Sequence, residues 1–235
     1  MIPARRWWPV AALLVAMVRL PAGAQTLQFL PEIDVYANVG SHAQFWFQAK
    51  QTREDGAPNQ AEVGPSFDFF VKPLLKLKTV AGFNLDDSKQ RLLVLSVGYR
   101  YLPSPGSPSQ NRVLLMATSN LPFKGGVLVS DRNRLEINYT NGNPSWRYRN
   151  RLTLQRTIGI QSYHPSPYAS AEFYYNSGYD KWSTTSIDAG CIFPLGRMTE
   201  IDPYYEHQNN TGSSPNHQVN ALGLILNIYL RRERQ

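Results

Sequence analysis

In the stretch 132–140 the side chains sort by parity. Leu135, Ile137 and Tyr139 fall on one side of an extended chain, and Arg132, Arg134, Glu136, Asn138 and Thr140 on the other. At 91–101, Leu93, Leu95, Val97, Tyr99 and Tyr101 oppose Ser96, Gly98 and Arg100. At 145–158, Trp146, Tyr148, Leu152 and Leu154 oppose Arg147, Arg149, Arg151, Thr153 and Gln155. At 185–195, Ile187, Ala189, Cys191, Phe193 and Leu195 oppose Ser186, Asp188 and Gly190. Successive side chains on a strand point to opposite faces, whereas a helix repeats about every 3.6 residues and would scatter these sets around its axis. One apolar and one polar face, held over stretches this long, marks antiparallel strands. Helical i, i+3, i+4, i+7 stripes do not persist, and no solenoid or propeller repeat appears.

About twelve strands are predicted, at 32–39, 42–51, 62–72, 76–84, 89–101, 111–121, 127–140, 145–158, 167–176, 182–195, 199–208 and 217–230. Turn chemistry separates them at Ser104 to Gln110, Asn141-Gly142, Asn176-Ser177-Gly178, and Asn209 to Asn216. In the second half, tight connections at 122–126 and 194–198 alternate with longer polar ones at 103–110, 177–181 and 209–216. Short turns at one end and longer loops at the other are the habit of membrane barrels.

The N-terminus carries a different signal. Arg5 and Arg6 precede an apolar core at 10–18, and Pro21-Ala22-Gly23-Ala24 offers a small-residue cleavage site before Gln25. Arg19 ends the apolar run well short of the roughly 20 residues that a spanning helix needs. Residues 1–24 therefore read as a signal peptide, 25–230 as the folded barrel and 231–235 as a basic periplasmic tail. The full chain has 24 Lys+Arg against 17 Asp+Glu; without Arg5, Arg6 and Arg19 the balance is 21 to 17, or +4. That modest excess argues against nucleic acid, which needs a basic stripe on the folded domain. Cys191 is the only cysteine, so no disulfide framework exists. With 17% charged and 12% aromatic residues the chain can bury too much surface to remain disordered.

Alternation alone also suits a secreted β-sandwich. Three features favour an all-β, antiparallel transmembrane barrel instead. The apolar face is aromatic near strand ends, at Phe45, Phe47, Tyr99, Tyr101, Tyr139, Trp146, Tyr148, Tyr175 and Tyr205. Amphipathic rings in these places suit the two membrane–water interfaces. The strands exceed the usual sandwich length of about five or six residues and match the roughly 9–11 that cross a bilayer at a tilt. The export signal completes the case for a Gram-negative outer-membrane location.

Gly98-Tyr99-Arg100-Tyr101, then 131–136 (Asp-Arg-Asn-Arg-Leu-Glu), 147–152 (Arg-Tyr-Arg-Asn-Arg-Leu) and Ala171-Glu172-Phe173 follow one another in a distinctive order. In this the chain resembles a family of bacterial outer-membrane β-barrel proteins known only as a domain of unknown function. The resemblance spans roughly 27–230, with its specific part in 95–175. It implies location and architecture and transfers no catalytic residue. Such barrels commonly end on an aromatic residue, whereas here Leu230 precedes Arg231-Arg232-Glu233-Arg234-Gln235, which sets the aromatic assembly signal back to Tyr229.

If the apolar face meets lipid, the charges turn inward, since an arginine on the lipid face at mid-depth costs roughly 2–4 kcal/mol. The candidate lumen site is Arg132, Arg134, Glu136, Arg147, Arg149, Arg151 and Glu172, with Asp188, Glu200, Asp202 and Glu206 also inside. A four-residue loop at 141–144 puts Glu136 opposite Arg149; a two-residue Asn-Gly turn puts it opposite Arg147. Either leaves an arginine pair in need of another anion, for which Glu172 is the natural candidate. About twelve strands give an interior between the filled eight-stranded barrels and the open sixteen-stranded porins. The expectation is a non-catalytic porin-like barrel with an Arg/Glu-lined lumen, needing no cofactor. Its partners are outer-membrane lipid and the assembly machinery. The alternative is a narrow channel or binding site for anionic solutes such as acidic oligosaccharides.

A lipid A or phospholipid hydrolase is the remaining reading. Its chemistry needs a His with a Ser two residues on, and after His207 position 209 is Asn. His42, His164, His207 and His217 are scattered and form no metal set.

Overall fold

The computed structural model describes residues 25–71, 85–161, 163–212 and 216–230. The expected signal peptide at 1–24, the predicted strand at 76–84 and the tail at 231–235 lie outside the described residues. The described residues form eleven strands: β1 (Gln25–Asn38), β2 (Ala43–Glu54), β3 (Ala57–Val71), β4 (Leu93–Ser104), β5 (Ser107–Phe123), β6 (Val127–Thr140), β7 (Asn143–Arg156), β8 (Ser166–Asn176), β9 (Lys181–Pro194), β10 (Thr199–Asn210) and β11 (His217–Leu230).

Each strand pairs antiparallel with the next, and β1 pairs with β11 to close the ring. That last pairing is parallel, running from Gln25↔Gln218 to Ala37↔Leu230. The sequence-based expectation of about twelve antiparallel strands is corrected here to eleven, in a mixed barrel. In an up-and-down meander with an odd number of strands the first and last run the same way, so only a parallel seam can seal it. β3 pairs directly with β4, Phe67 facing Val97 and Phe69 facing Leu95, and the described wall has no place for a strand between them.

The odd count also puts the ends of the wall at opposite rims. The rim holding Gln25, called here the N rim, carries the turns at 55–56, 105–106, 141–142, 177–180 and 211–216. The C rim, holding Leu230, carries those at 39–42, 124–126 and 195–198, and it is also where β3 ends and β4 begins and where β7 ends and, after nine residues, β8 begins. The expected segregation of long loops to the other end does not hold. The Ser/Pro-rich segment 103–110 stays extended, Ser104 pairs with Ser107, and only Pro105-Gly106 turns. Asp55-Gly56 and Asn141-Gly142 have positive φ at both positions (48° and 83°; 51° and 80°). These are type I′ turns, whose twist matches that of the strands they join.

The wall is apolar outside and polar inside. Along β4, Leu95, Val97, Tyr99 and Tyr101 are exposed, whereas Val94, Ser96, Arg100 and Leu102 are buried. Arg100, Glu136 and Glu172 are completely buried. Tyr229, read from the sequence as an assembly signal, turns inward, stacks on Tyr36 with ring centroids 4.9 Å apart, and donates to Glu200 at 3.0 Å.

One described segment crosses the interior rather than joining the wall. Residues 87–90 form a 3-10 turn capped by Asp86, whose carboxylate accepts from the Ser88 N–H at 2.9 Å. Leu85 N–H donates to Glu200 of β10 at 2.9 Å, and Asn38 of β1 donates to Asp87 at 2.6 Å. Lys89 reaches Gln155 of β7 at 3.1 Å, and Asn120 of β5 donates to the Ser88 and Arg91 carbonyls. Anchored to four strands, the turn floors the interior at the C rim.

Candidate functional site

The Asn141-Gly142 turn fixes the register of β6 on β7. It places Arg132 opposite Arg151, Arg134 opposite Arg149, and Glu136 opposite Arg147. Of the two registers the sequence allowed, this is the one set by a two-residue turn. Like charges directly opposite repel, so two Arg–Arg pairs on adjacent strands require counterions from elsewhere. β8 supplies one, with Glu172 in register with Arg151.

Glu172 sits under three guanidinium groups. Arg149 holds it by Nε at 2.9 Å and Nη2 at 2.9 Å, Arg151 by Nε at 2.9 Å and Nη2 at 2.5 Å, and Arg132 by Nη2 at 3.3 Å. Glu136 takes Arg147 at 2.8 and 2.5 Å, Arg134 at 2.9 Å and Arg149 at 3.1 Å. Tyr174 packs its ring against Arg149, 4.3 Å from guanidinium carbon to centroid, and its hydroxyl accepts from Nη2 at 2.8 Å. All seven residues singled out from the sequence thus belong to one cluster inside the barrel. Paired charge-assisted hydrogen bonds of this kind are the strong class, and they hold the arginine forks in fixed orientations.

The cluster is larger than the sequence reading. Glu62 on β3 lies 3.2 Å from Arg112 on β5 and 3.7 Å from both Arg134 and Arg100. Arg112 also donates to Asn138 at 2.7 Å. Arg100 lies over the Trp46 ring at 4.6 Å and donates to Gln48, Ser66 and the Pro65 carbonyl. Asp188 on β9 takes Arg151 at 3.2 Å. The alternation of Glu62, Gly64, Ser66 and Asp68 against Val63, Pro65, Phe67 and Phe69 was the available signal for Glu62. Arg112 gave none, because Leu114 and Met116 follow it on the same inward face.

Seven arginines (100, 112, 132, 134, 147, 149 and 151) therefore meet four carboxylates (62, 136, 172 and 188). The arrangement is layered. Glu136 and Glu172 are fully covered, while Arg132, Arg147 and Arg151 keep 30%, 26% and 26% of their side chains exposed. These arginines line a central cavity of about 610 Å³, together with Arg112, Arg134 and Arg149. Its opposite side is lined by Glu32, Asp34, Asp202, Tyr204 and Glu206, its floor by Asp86, Ser88 and Lys89, and its N-rim approach by Gln28, Thr52, Gln60 and Gln208. That volume falls in the range of small-molecule sites.

His207 pairs through Nδ1 with Asn220 Oδ1 at 2.8 Å, on an outward-facing register position of β10. Ser213 and Ser214 lie outside the described residues. Residues 36–220 match the family model described as "Protein of unknown function (DUF2490)". No curated protein gives a significant match to the chain.

Proposed function

The chain belongs to the DUF2490 family, which has no activity to hand on, and from the chain's own geometry we propose a non-catalytic outer-membrane barrel that binds an anionic solute inside its lumen. The observation that carries the binding reading is the one-sided face of β6 and β7, where Arg132, Arg134, Arg147, Arg149 and Arg151 line the cavity while the two glutamates that they hold, Glu136 and Glu172, are fully buried and do not. Preoriented guanidinium forks match carboxylate and phosphate geometry and lose little freedom on binding.

The membrane reading is supported by the outer surface. Leu95, Val97, Leu115, Leu152, Leu154, Ile187, Leu222 and Leu224 are exposed around the wall. A water-soluble sheet would cover such a face with a second layer. Tyr99, Tyr101, Tyr139, Trp146 and Trp182 gather toward the N rim, and Trp146 stacks on Tyr175 at 5.5 Å. Phe69, Phe123 and Tyr163 lie toward the C rim. Two aromatic belts around an aliphatic band suit a bilayer with two interfaces.

The floor at 85–90 favours a cup open to the N rim over an open pore, so the refolded protein is expected to be nearly silent in planar bilayers. Titration of the detergent-refolded barrel with trigalacturonate tests the site. Binding should weaken at least ~10-fold in the Arg132→Gln/Arg151→Gln variant, as expected for lost charge-assisted contacts. A folded, heat-modifiable barrel that binds no acidic oligosaccharide would overturn the anion reading. A chain that stays monomeric and soluble without detergent would overturn the membrane reading.

A further inference from the structure

The arginine wall faces a wall of the opposite sign. In the eleven-membered ring, β2 to β5 separate β1 from β6 and β8 to β11 separate β1 from β7, so β1 stands diametrically across from the β6–β7 pair. β1 carries Glu32 and Asp34, and β10, two strands along, carries Glu200 and Asp202. The registers set them in two rows, Glu32–Ile225–Asp202 and Asp34–Asn227–Glu200. With about 4.8 Å between strands, the acids of a row stand roughly 10 Å apart. Among the described residues no three acids or imidazoles gather closely enough to hold a metal ion.

Two of these acids are satisfied from within. Glu32 takes Gln48 and has Lys50 at 3.5 Å, and Glu200 takes the Leu85 N–H and the Tyr229 hydroxyl. The other two are not. Asp34 and Asp202 are only 5% and 6% exposed, both line the cavity, and each keeps one carboxylate oxygen without a hydrogen-bond donor among the described residues. Their second oxygens accept from Tyr36 at 3.2 Å and Tyr168 at 3.1 Å. Across the cavity, Arg132 Nε is a donor without an acceptor. Buried polar groups are rarely left open, and a set of open acceptors facing an open donor asks for a molecule that fills both.

We propose that the lumen selects a zwitterionic solute, its ammonium held on the acid wall that carries Asp34 and Asp202 and its phosphate or carboxylate received by Arg132 and Arg151. This deepens the anion-binding reading and rests on it. Opposed walls impose a transverse field. A solute bearing both charges gains on each side in one orientation, whereas a purely anionic one leaves the acid wall unanswered and is repelled by it.

Three sugars of one shape test this on the detergent-refolded full barrel: glucosamine 6-phosphate, glucose 6-phosphate and glucosamine, by calorimetric titration. Glucosamine 6-phosphate should bind at least ~10-fold tighter than either of the others, one charge-assisted contact being of that order. In the Asp34→Asn/Asp202→Asn variant its advantage over glucose 6-phosphate should shrink to within about 3-fold, with glucose 6-phosphate bound no worse than before. If that variant does not fold, the three-sugar comparison on the unaltered chain still decides. Equal affinity for both phosphates overturns the zwitterion proposal and leaves the anion site standing. Failure of all three sugars also overturns it, while retained trigalacturonate binding would keep the anion reading.

Discussion

Arg149 grips Glu172 in a two-point fork, Nε to Oε1 and Nη2 to Oε2, both at 2.9 Å. Its remaining nitrogen, Nη1, reaches Glu136 at 3.1 Å. One planar group on β7 thereby ties a carboxylate from β6 to one from β8, and three neighbouring strands share a single electrostatic unit. The tie is the reason the Arg134–Arg149 pair, adverse by itself, is tolerated.

Glu172→Gln should be among the most damaging isosteric changes in the wall. It strips a fully buried counterion from three arginines at once, and breaking a buried pair from one side costs about 3–5 kcal/mol. Arg132→Gln removes a single 3.3 Å contact from a side chain 30% exposed and should cost under about 1 kcal/mol. Urea unfolding followed by tryptophan fluorescence ranks the two, and similar midpoints would contradict the layered arrangement.

Leu152 and Thr153 are neighbours on opposite faces of β7, Leu152 being 52% exposed on the outer wall and Thr153 lining the cavity. Leu152→Arg should cost roughly 2–4 kcal/mol in a bilayer, and Thr153→Arg markedly less. Refolding yield into phosphatidylcholine vesicles is the measurement. Equal yields would mean that the outer face does not meet hydrocarbon.

Gly64 on β3 has no room for a side chain, since a Cβ there would stand 2.1 Å from the Tyr99 carbonyl oxygen of β4. The neighbour is backbone and cannot swing aside. Gly64→Ala should therefore cost about 1–3 kcal/mol and prise β3 from β4 locally. Amide exchange at Tyr99 to Tyr101 should quicken while that of β6 and β7 stays slow.

Lys89 and Asn38 are two of the anchors that hold the floor across the C rim. Removing both, as Asn38→Ala/Lys89→Ala, should loosen the turn while costing the wall only the Gln44–Asn38 side-chain contact at its C rim. Planar-bilayer recordings should then show brief openings that the unaltered barrel lacks. A variant as silent as its parent would place the barrier elsewhere.

Parity in the sequence was enough to assign inner and outer faces on β4, β6, β7 and β9, because side-chain direction on a strand is local. It also carried the seven central charges, and Asn141-Gly142 narrowed their register to two choices. What parity could not show depended on partners remote in the chain. Arg112 and Glu62 became part of the cluster only when the ring set β5 beside β6 and let Glu62 reach in from β3, three strands along the wall. The strand predicted over 89–101 overlaps the floor at 85–90, because the contacts that pull this turn inward come from Asn38, Asn120, Gln155 and Glu200, all far away in the chain. The strand total differed for the same reason, since the direct pairing of β3 with β4 joins stretches that parity cannot relate.

The parallel seam has a consequence for how such a chain can be made. Every other pairing joins successive strands and can form as soon as the second of them arrives. The seam brings together Thr26 and His217, 191 positions apart and bonded at 2.9 Å. Until the last fourteen residues of the wall are in place, the sheet is an open ribbon with two bare edges, each a template for pairing with another chain. The final strand is thus a latch: a polypeptide halted or clipped before His217 has every hairpin up to β9–β10, lacks the last one, and has no enclosed interior. Quality control acting on this protein would have one event to inspect, the moment when first and last strand meet.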